Sequence, residues 1–361
     1  MTRRREQPAR RPATMKDIAD KAGVAQSTVS RILNDTPLPV PISQDTRERV
    51  LAAAAELRYR PNPHARGLRG APTMLVGAIV RDATDPFFAG AIDALSLEAR
   101  HRGYSVVLGH ARERADEALA LAAILEARQC DAMIVLGDMR TQPRLIEDLE
   151  SVNAHVPVVA VWHGGRREAF LTVSVDNRHG ITAAMRHLTS LGHQRIAFVG
   201  DPVLGDIEER HVAYRDFLAA RGVKVPRGYV QPVRNNFDGG VAAFGDLMAL
   251  PRPPTAVAAA TDVLAVGVLH AASDHGVPIP DQFSVVGFDD IPFSAVTVPA
   301  LTTVRMPVEK MIQAAIGMAV DKRFRNAAGT AKGARVFKPT LVVRRSTAPL
   351  ARRARPQDRR G

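Results

Sequence analysis

Cysteine is almost missing from this chain: one residue, Cys130, in 361. A single thiol excludes an internal disulfide framework and any multi-cysteine zinc site. It stands just ahead of the apolar run from Met133 to Leu136 and reads as a buried core thiol, not a nucleophile. Also lacking is any uninterrupted apolar run near the ~18 residues that a membrane span needs. Met1 to Pro12 is basic, but no apolar segment follows it, so it does not read as a secretory signal. The expectation is a soluble, cytoplasmic protein with no membrane partner. Three enzyme signatures are absent as well: a Gly-x-Ser-x-Gly elbow, a Walker-type phosphate loop and a His-Glu-x-x-His zinc motif. The eleven histidines are scattered without ligand spacing. No catalytic role, metal or cofactor is expected.

What is present is positive charge, unevenly placed. The net charge is +12, yet residues 1–72 contribute +7 and residues 344–361 contribute +6, leaving a near-neutral body. Basic ends on a neutral body suit an anionic partner met by the termini, although solvated tails would carry the same charge.

The organisation follows from pattern. Residues 1–12 read as a disordered basic tail. Three helices are expected over 15–22, 26–33 and 44–59. Thr14, with Asp17 three residues on, and Ser43 are the capping candidates, and Gly23 the turn. Ile18, Ala19, Ala22, Val29, Ile32 and Leu33 should face inward, as should Val50, Leu51, Ala54 and Leu57 of the third helix. Residues 61–72 form a linker rich in Pro and Gly. Beyond it, β-type runs recur at 75–80, 105–110, 131–137, 156–162, 195–200, 256–261 and 284–289, with amphipathic helical stretches between most of them. That alternation predicts an α/β body with parallel sheets, whose ligands bind beyond the carboxyl ends of the strands.

The run from Thr14 to Asn34, with Thr46-Arg47-Glu48-Arg49-Val50 and Tyr59-Arg60-Pro61-Asn62, closely resembles the DNA-binding headpiece of the lactose-repressor family. The resemblance implies a helix-turn-helix over 13–60, with the second helix in the major groove and Gln26, Ser27 and Arg31 at its base-reading positions. Arg can donate two bonds to guanine, and Gln can pair with an adenine edge. Thr28 and Ser30 suit phosphates, which position without reading sequence. Two features depart from the family pattern: Ala25 stands where Ser is usual, and the Pro-rich loop after Asn34 is about three residues longer than in the lactose repressor itself. Asn62 to Leu68 resembles the family's hinge helix, with Ala65 at the small packing position and Leu68 at the leucine pressed into the minor groove. Such a wedge can kink the duplex.

The resemblance continues over nearly all of residues 73–346, through Asp85-Pro86-Phe87-Phe88, Val175-Asp176-Asn177, Leu191-Gly192-His193, Arg210 with Tyr214, and Gly287-Phe288-Asp289-Asp290. It implies a two-lobed effector-binding and dimerisation core, like that of periplasmic sugar-binding proteins, with chain crossings near 174, 303 and 330. By family position Phe87, Phe88, Trp162, Arg210, Phe237, Thr261 and Asp289 line the cleft. Aromatic faces, an Arg donor and an Asp acceptor suit a polyhydroxylated ligand. Thr261 stands where many relatives carry Asn, so no relative's ligand transfers directly. His193 reads as a turn or packing residue. Residues 347–361 read as a second disordered basic tail.

Together these features predict a sequence-specific regulator: a homodimer on an inverted-repeat operator in double-stranded DNA, nucleoid-associated when bound. A small-molecule effector, a carbohydrate by resemblance, would release it. A co-repressor-dependent regulator sensing a nucleobase or other metabolite is the rival within the class. A freestanding transport protein would need an export signal and no headpiece. No leucine heptad marks the C-terminus, which favours a dimer over a tail-assembled tetramer.

Overall fold

The computed structural model describes residues 13–33, 42–59, 72–137, 143–162, 171–203, 205–321 and 333–350. The basic tail 1–12, the Pro-rich loop after Asn34 and the hinge residues Asn62, Ala65 and Leu68 lie outside them. The chain divides into two units, residues 1–71 and 72–361.

The first unit contains helices α1 (Met15–Ala22), α2 (Gln26–Leu33) and α3 (Gln44–Glu56). Thr14 caps α1 in a full capping box: its hydroxyl accepts from the Asp17 amide, and the Asp17 carboxylate accepts from the Thr14 amide. Gly23 ends α1 at φ 66°, a left-handed conformation open to glycine at little cost. Ser43 caps α3 through the Thr46 amide. The core is Ile18, Ala19, Ala22, Val29, Ile32, Val50 and Ala53. Fully burying each branched side chain contributes roughly 1.5–3 kcal/mol, which three short helices need. The pattern erred at Leu51, which is 47% exposed; Ala53 fills the inward position instead. α3 also stops three residues before the expected end, at Leu57 and Arg58, and Arg58 takes a positive φ of 47°.

The second unit is two α/β lobes built around six-stranded sheets. Lobe 1 contains β1 (Leu75–Val80), α4 (Pro86–His101), β2 (Ser105–His110), α5 (Ala115–Ala127), β3 (Ala132–Leu136), α6 (Pro143–Asn153), β4 (Val158–Val161) and β5 (Leu171–Val175). Lobe 2 contains α7 (Asn177–Ser190), β6 (Ile196–Val199), α8 (Gly205–Ala219), β7 (Val230–Gln231), α9 (Phe237–Met248), β8 (Ala256–Ala259), α10 (Asp262–Asp274), β9 (Ser284–Asp289) and β10 (Thr302–Arg305). The chain then returns to lobe 1 for α11 (Val308–Val320) and β11 (Ala334–Phe337), and ends in lobe 2 with β12 (Thr340–Val342). The strand orders are β11-β5-β4-β3-β1-β2 and β12-β10-β9-β8-β6-β7. All pairings are parallel except β12 with β10.

The seven expected strands are all present, most trimmed by a residue or two, while β5, β7, β10, β11 and β12 went unread. The first two lobe crossings fall after Val175 and Arg305, close to expectation. The third falls between Phe337 and Thr340, not near 330, because β11 first adds an edge strand to lobe 1. Residues 347–350, expected to begin a tail, are bonded to lobe 2: Thr347 to His187, Ala348 to Ser284 and His193, and Leu350 to Leu191. His193 is buried and also bonds Thr255, so it packs as expected. Cys130 is buried, and burial pushes its thiol pKa up to about 11, which suppresses the reactive thiolate.

Candidate effector cleft and DNA-facing helix

In the first unit, α2 separates its residues cleanly. Val29 and Ile32 are buried, Gln26, Ser27 and Arg31 are exposed, and Thr28 and Ser30 are half-buried. Ser27 and Arg31 are four apart and share a face, next to Gln26 at the N-terminus. Ala25 offers no hydroxyl to the first turn; its carbonyl accepts from the Thr28 and Val29 amides.

In the second unit the strand ends of both sheets meet across a narrow cavity. Its lining includes six of the seven effector residues expected from the sequence: Phe87, Phe88, Trp162, Arg210, Thr261 and Asp289. Local chemistry positions each one. Asp85 caps α4 through the Phe87 amide and Pro86 takes the first turn, so the helix starts at the aromatic pair. Phe88 begins the buried stripe that continues with Ala91, Leu95 and Ala99. Trp162 follows β4 at φ 59°, and its ring meets Phe87 and Phe88 edge-on at centroid distances of 4.8 and 5.9 Å. Gly137, at φ 96°, closes the floor: a Cβ there would lie 2.8 Å from both Arg81 and Phe88.

Arg210 on α8 is 2% exposed and held from several sides. Its Nε donates to Asn177 Oδ1 at 2.9 Å and its Nη1 to the Ala260 carbonyl at 2.6 Å. Its guanidinium carbon lies 3.8 Å from the centre of the Phe288 ring. Asp289 faces it at 3.5 Å. Burial raises the Asp289 pKa well above its ordinary value, against the opposing pull of Arg210. Burial likewise raises Asp85. Thr261 donates to Asn235 Oδ1, and Asn235 donates across the cleft to Asp85 at 3.3 Å. Directly after Thr261, fully buried Asp262 accepts from Thr303, Ser294 and the Ile291 amide, and burial pushes its pKa up to about 6.

Phe237 is not brought into this cavity. Asn236 caps α9, which leaves Phe237 on the helix's first turn, 38% exposed and 5.2 Å from the His270 ring. Sequence reasoning missed Arg81, Asp85, Asp206 and Met306, which also line the cavity. Arg81 directly follows β1, and its Nη1 lies 3.5 Å from Asp206 on α8. The enclosed space is about 10 Å³, room for about one water. Phe87, Asp289 and Met306 also line a larger pocket of about 600 Å³ at the lobe crossings. Arg81–Asp206, Asn235–Asp85 and Arg234–Glu113 contacts join the two lobes around the enclosed space.

Residues 14–62 match the family model of bacterial regulatory proteins, lacI family, and residues 185–347 match a periplasmic binding protein-like domain. The chain is 33% identical over 338 residues to the HTH-type transcriptional regulator GalS of Salmonella typhimurium, covering 93% of this chain and 96% of that protein. It superposes on a crystal structure of the lac repressor dimer bound to operator and the anti-inducer ONPF with a TM-score of 0.80 and 26% identity, covering 94% of this chain and 100% of that one. A complex of the transcriptional regulator CelR with cellobiose matches with a TM-score of 0.67 and 29% identity, over 92% and 99% of the two chains.

Proposed function

From the premise that this chain belongs to the lacI family of bacterial regulatory proteins, and is a DNA-binding transcriptional regulator with an effector-binding core, we propose that it is a repressor. It binds an inverted-repeat operator as a homodimer, at the nucleoid within the cytoplasm, and a sugar or sugar derivative releases it. Residues 13–60 form the DNA-binding domain, 61–72 the hinge, and 73–346 the effector-binding and dimerisation core. Gln26, Ser27 and Arg31 read bases; Thr28 and Ser30 hold phosphates; Asn62, Ala65 and Leu68 act in the hinge, with Leu68 as the wedge. Phe87, Phe88, Trp162, Arg210, Thr261 and Asp289 receive the effector.

The observation that carries the DNA half of this reading is the exposed Gln26–Ser27–Arg31 face opposite the buried Val29 and Ile32. Support for the homodimer comes from three apolar side chains in one short stretch of lobe 2: Phe293, Val296 and Val298, exposed by 59%, 72% and 94%. Apolar side chains so concentrated on a surface fit a self-complementary two-fold interface. Effector control needs little energy: a hundredfold loss of operator affinity is about 2.7 kcal/mol of coupling.

Selection of bound sites from a random double-stranded DNA library tests the reading. Inverted half-sites should emerge; a single half-site or a direct repeat would remove the symmetric dimer. On the selected operator, Arg31→Ala should lower the ratio of specific to nonspecific affinity by about 1–3 kcal/mol. An unchanged ratio would mean that Arg31 reads no base. Adding sugars to the complex fixes the sign of control: tighter DNA binding would identify a co-repressor.

A further inference from the structure

Arg81 has a place in the cleft that the resemblance does not assign. It is 5% exposed, and its Nε and Nη1 have no hydrogen-bond partner. Across the cavity Asp206 Oδ1 is buried and equally unpartnered, 3.5 Å from Arg81 Nη1, an ion-pair distance without hydrogen-bond geometry. Trp162 Nε1 is a third unpartnered donor beside them. Buried polar atoms are rarely left unpaired. Four around one cavity mark a place where an incoming molecule completes the bonding: three donors come from lobe 1 and the acceptor from lobe 2.

The charges narrow what that molecule is. Two guanidinium groups, Arg81 and Arg210, line the cavity with three carboxylates, Asp85, Asp206 and Asp289. Burial already raises Asp85 and Asp289 from their ordinary values, and neighbouring carboxylates add to the effect. An entering anion would add negative charge to a low-dielectric site short of positive charge, where like charges repel strongly. A hydroxyl both donates and accepts, so adjacent hydroxyls can serve Arg81, Trp162 and Asp206 together without adding charge.

We propose that Arg81 and Asp206 are the selectivity pair of the cleft. A ligand inserts neighbouring hydroxyls between them, one accepting from Arg81 and one donating to Asp206, so the site takes uncharged polyhydroxylated molecules and turns away their carboxylate and phosphate derivatives. This rests on reading the cleft as the effector site.

Calorimetric titration of the full-length protein tests it. The uncharged probes are D-galactose, D-ribose, cellobiose and cytidine. Their charged counterparts are D-galacturonate, ribose 5-phosphate, cellobionate and cytidine 5′-monophosphate. At least one uncharged probe should bind saturably, and its charged counterpart at least tenfold more weakly. Arg81→Met and Asp206→Asn should each weaken that probe by tenfold or more with cooperative thermal melts retained, and Arg81→Lys should recover part of the loss. A charged probe binding as tightly as its neutral counterpart overturns the proposal, as does no saturable binding by any uncharged probe. If Arg210→Ala abolishes binding while Arg81→Met leaves it unchanged, the cleft stands and the selectivity pair falls. If neither substitution matters, the effector reading of the cleft falls with it.

Discussion

Asp289 closes β9 at φ 117°, with Asp290 behind it at φ 58°. Two non-glycine residues in that region cost about 1–3 kcal/mol each. The Asp290 carboxylate is held by Arg305 and Arg344, which fix the turn and aim Asp289 at Arg210. Asp289 can accept ligand hydroxyls at full strength only when ionised, and burial has raised its pKa. Effector affinity should therefore fall as pH is lowered toward the ordinary carboxylate range, about 3.9, at a less acidic pH than an ordinary carboxylate would give. Titrations over that fall in pH check this, and Asp289→Asn should flatten the profile. An affinity independent of pH in the wild type would remove Asp289 as an acceptor. The contrast between Arg210 and Arg81 shows what was legible at this scale. Arg210 sits in a stretch whose resemblance announced it. Arg81 reads as an ordinary polar residue after a hydrophobic strand, since only the folded chain brings it to Asp206, 125 positions on.

At the scale of elements, helical periodicity located α1 and α2 to the residue, because capping and turn signals flank them: Thr14 and Asp17 at one end, Gly23 between. It misjudged α3, where alanines at 52–55 blur the stripe and leave Leu51 facing out. It also missed β10, β11 and β12, short strands whose pairing partners lie far away in sequence. Phe237 shows a related limit, since a family position does not report which way the first turn of a helix faces. Two predictions belong here. Ile18 is fully buried where the three short helices meet, so Ile18→Ala should destabilise the first unit by about 2–5 kcal/mol. Operator binding should then be lost at a lower temperature while effector titration of the same protein is unaffected; equal loss of both would show that the two units do not fold separately. For the hinge, Leu68→Ala should weaken operator affinity and spare effector affinity, measured by fluorescence anisotropy and calorimetry. Unchanged operator affinity would remove the wedge.

For the whole molecule, the proposed dimer and the interleaved lobes are the governing features. If Phe293, Val296 and Val298 meet their counterparts across a two-fold axis, Phe293→Asp with Val298→Asp should weaken dimerisation by about two orders of magnitude, read by sedimentation at micromolar protein. A dimer that persists would place the interface elsewhere. Alternating strands and helices announced an α/β body with parallel sheets, and the resemblance announced its two lobes and three crossings; only the place of the third, at 338–339 and not near 330, was missed, because the edge strand β11 leaves no local signal. That crossing bears on the order in which the protein is made. Lobe 1 begins at Leu75, yet α11, which buries Met311, Ile312 and Ile316, and the edge strand β11 are not synthesised until residues 308–337. During translation the headpiece sequence emerges first, then β1 to β5 of lobe 1, then most of lobe 2, while lobe 1 waits as an open sheet for α11 and β11, exposing apolar surface to chaperones and proteases. A nonsense codon even at position 306 would therefore spoil the earlier lobe as surely as the later one.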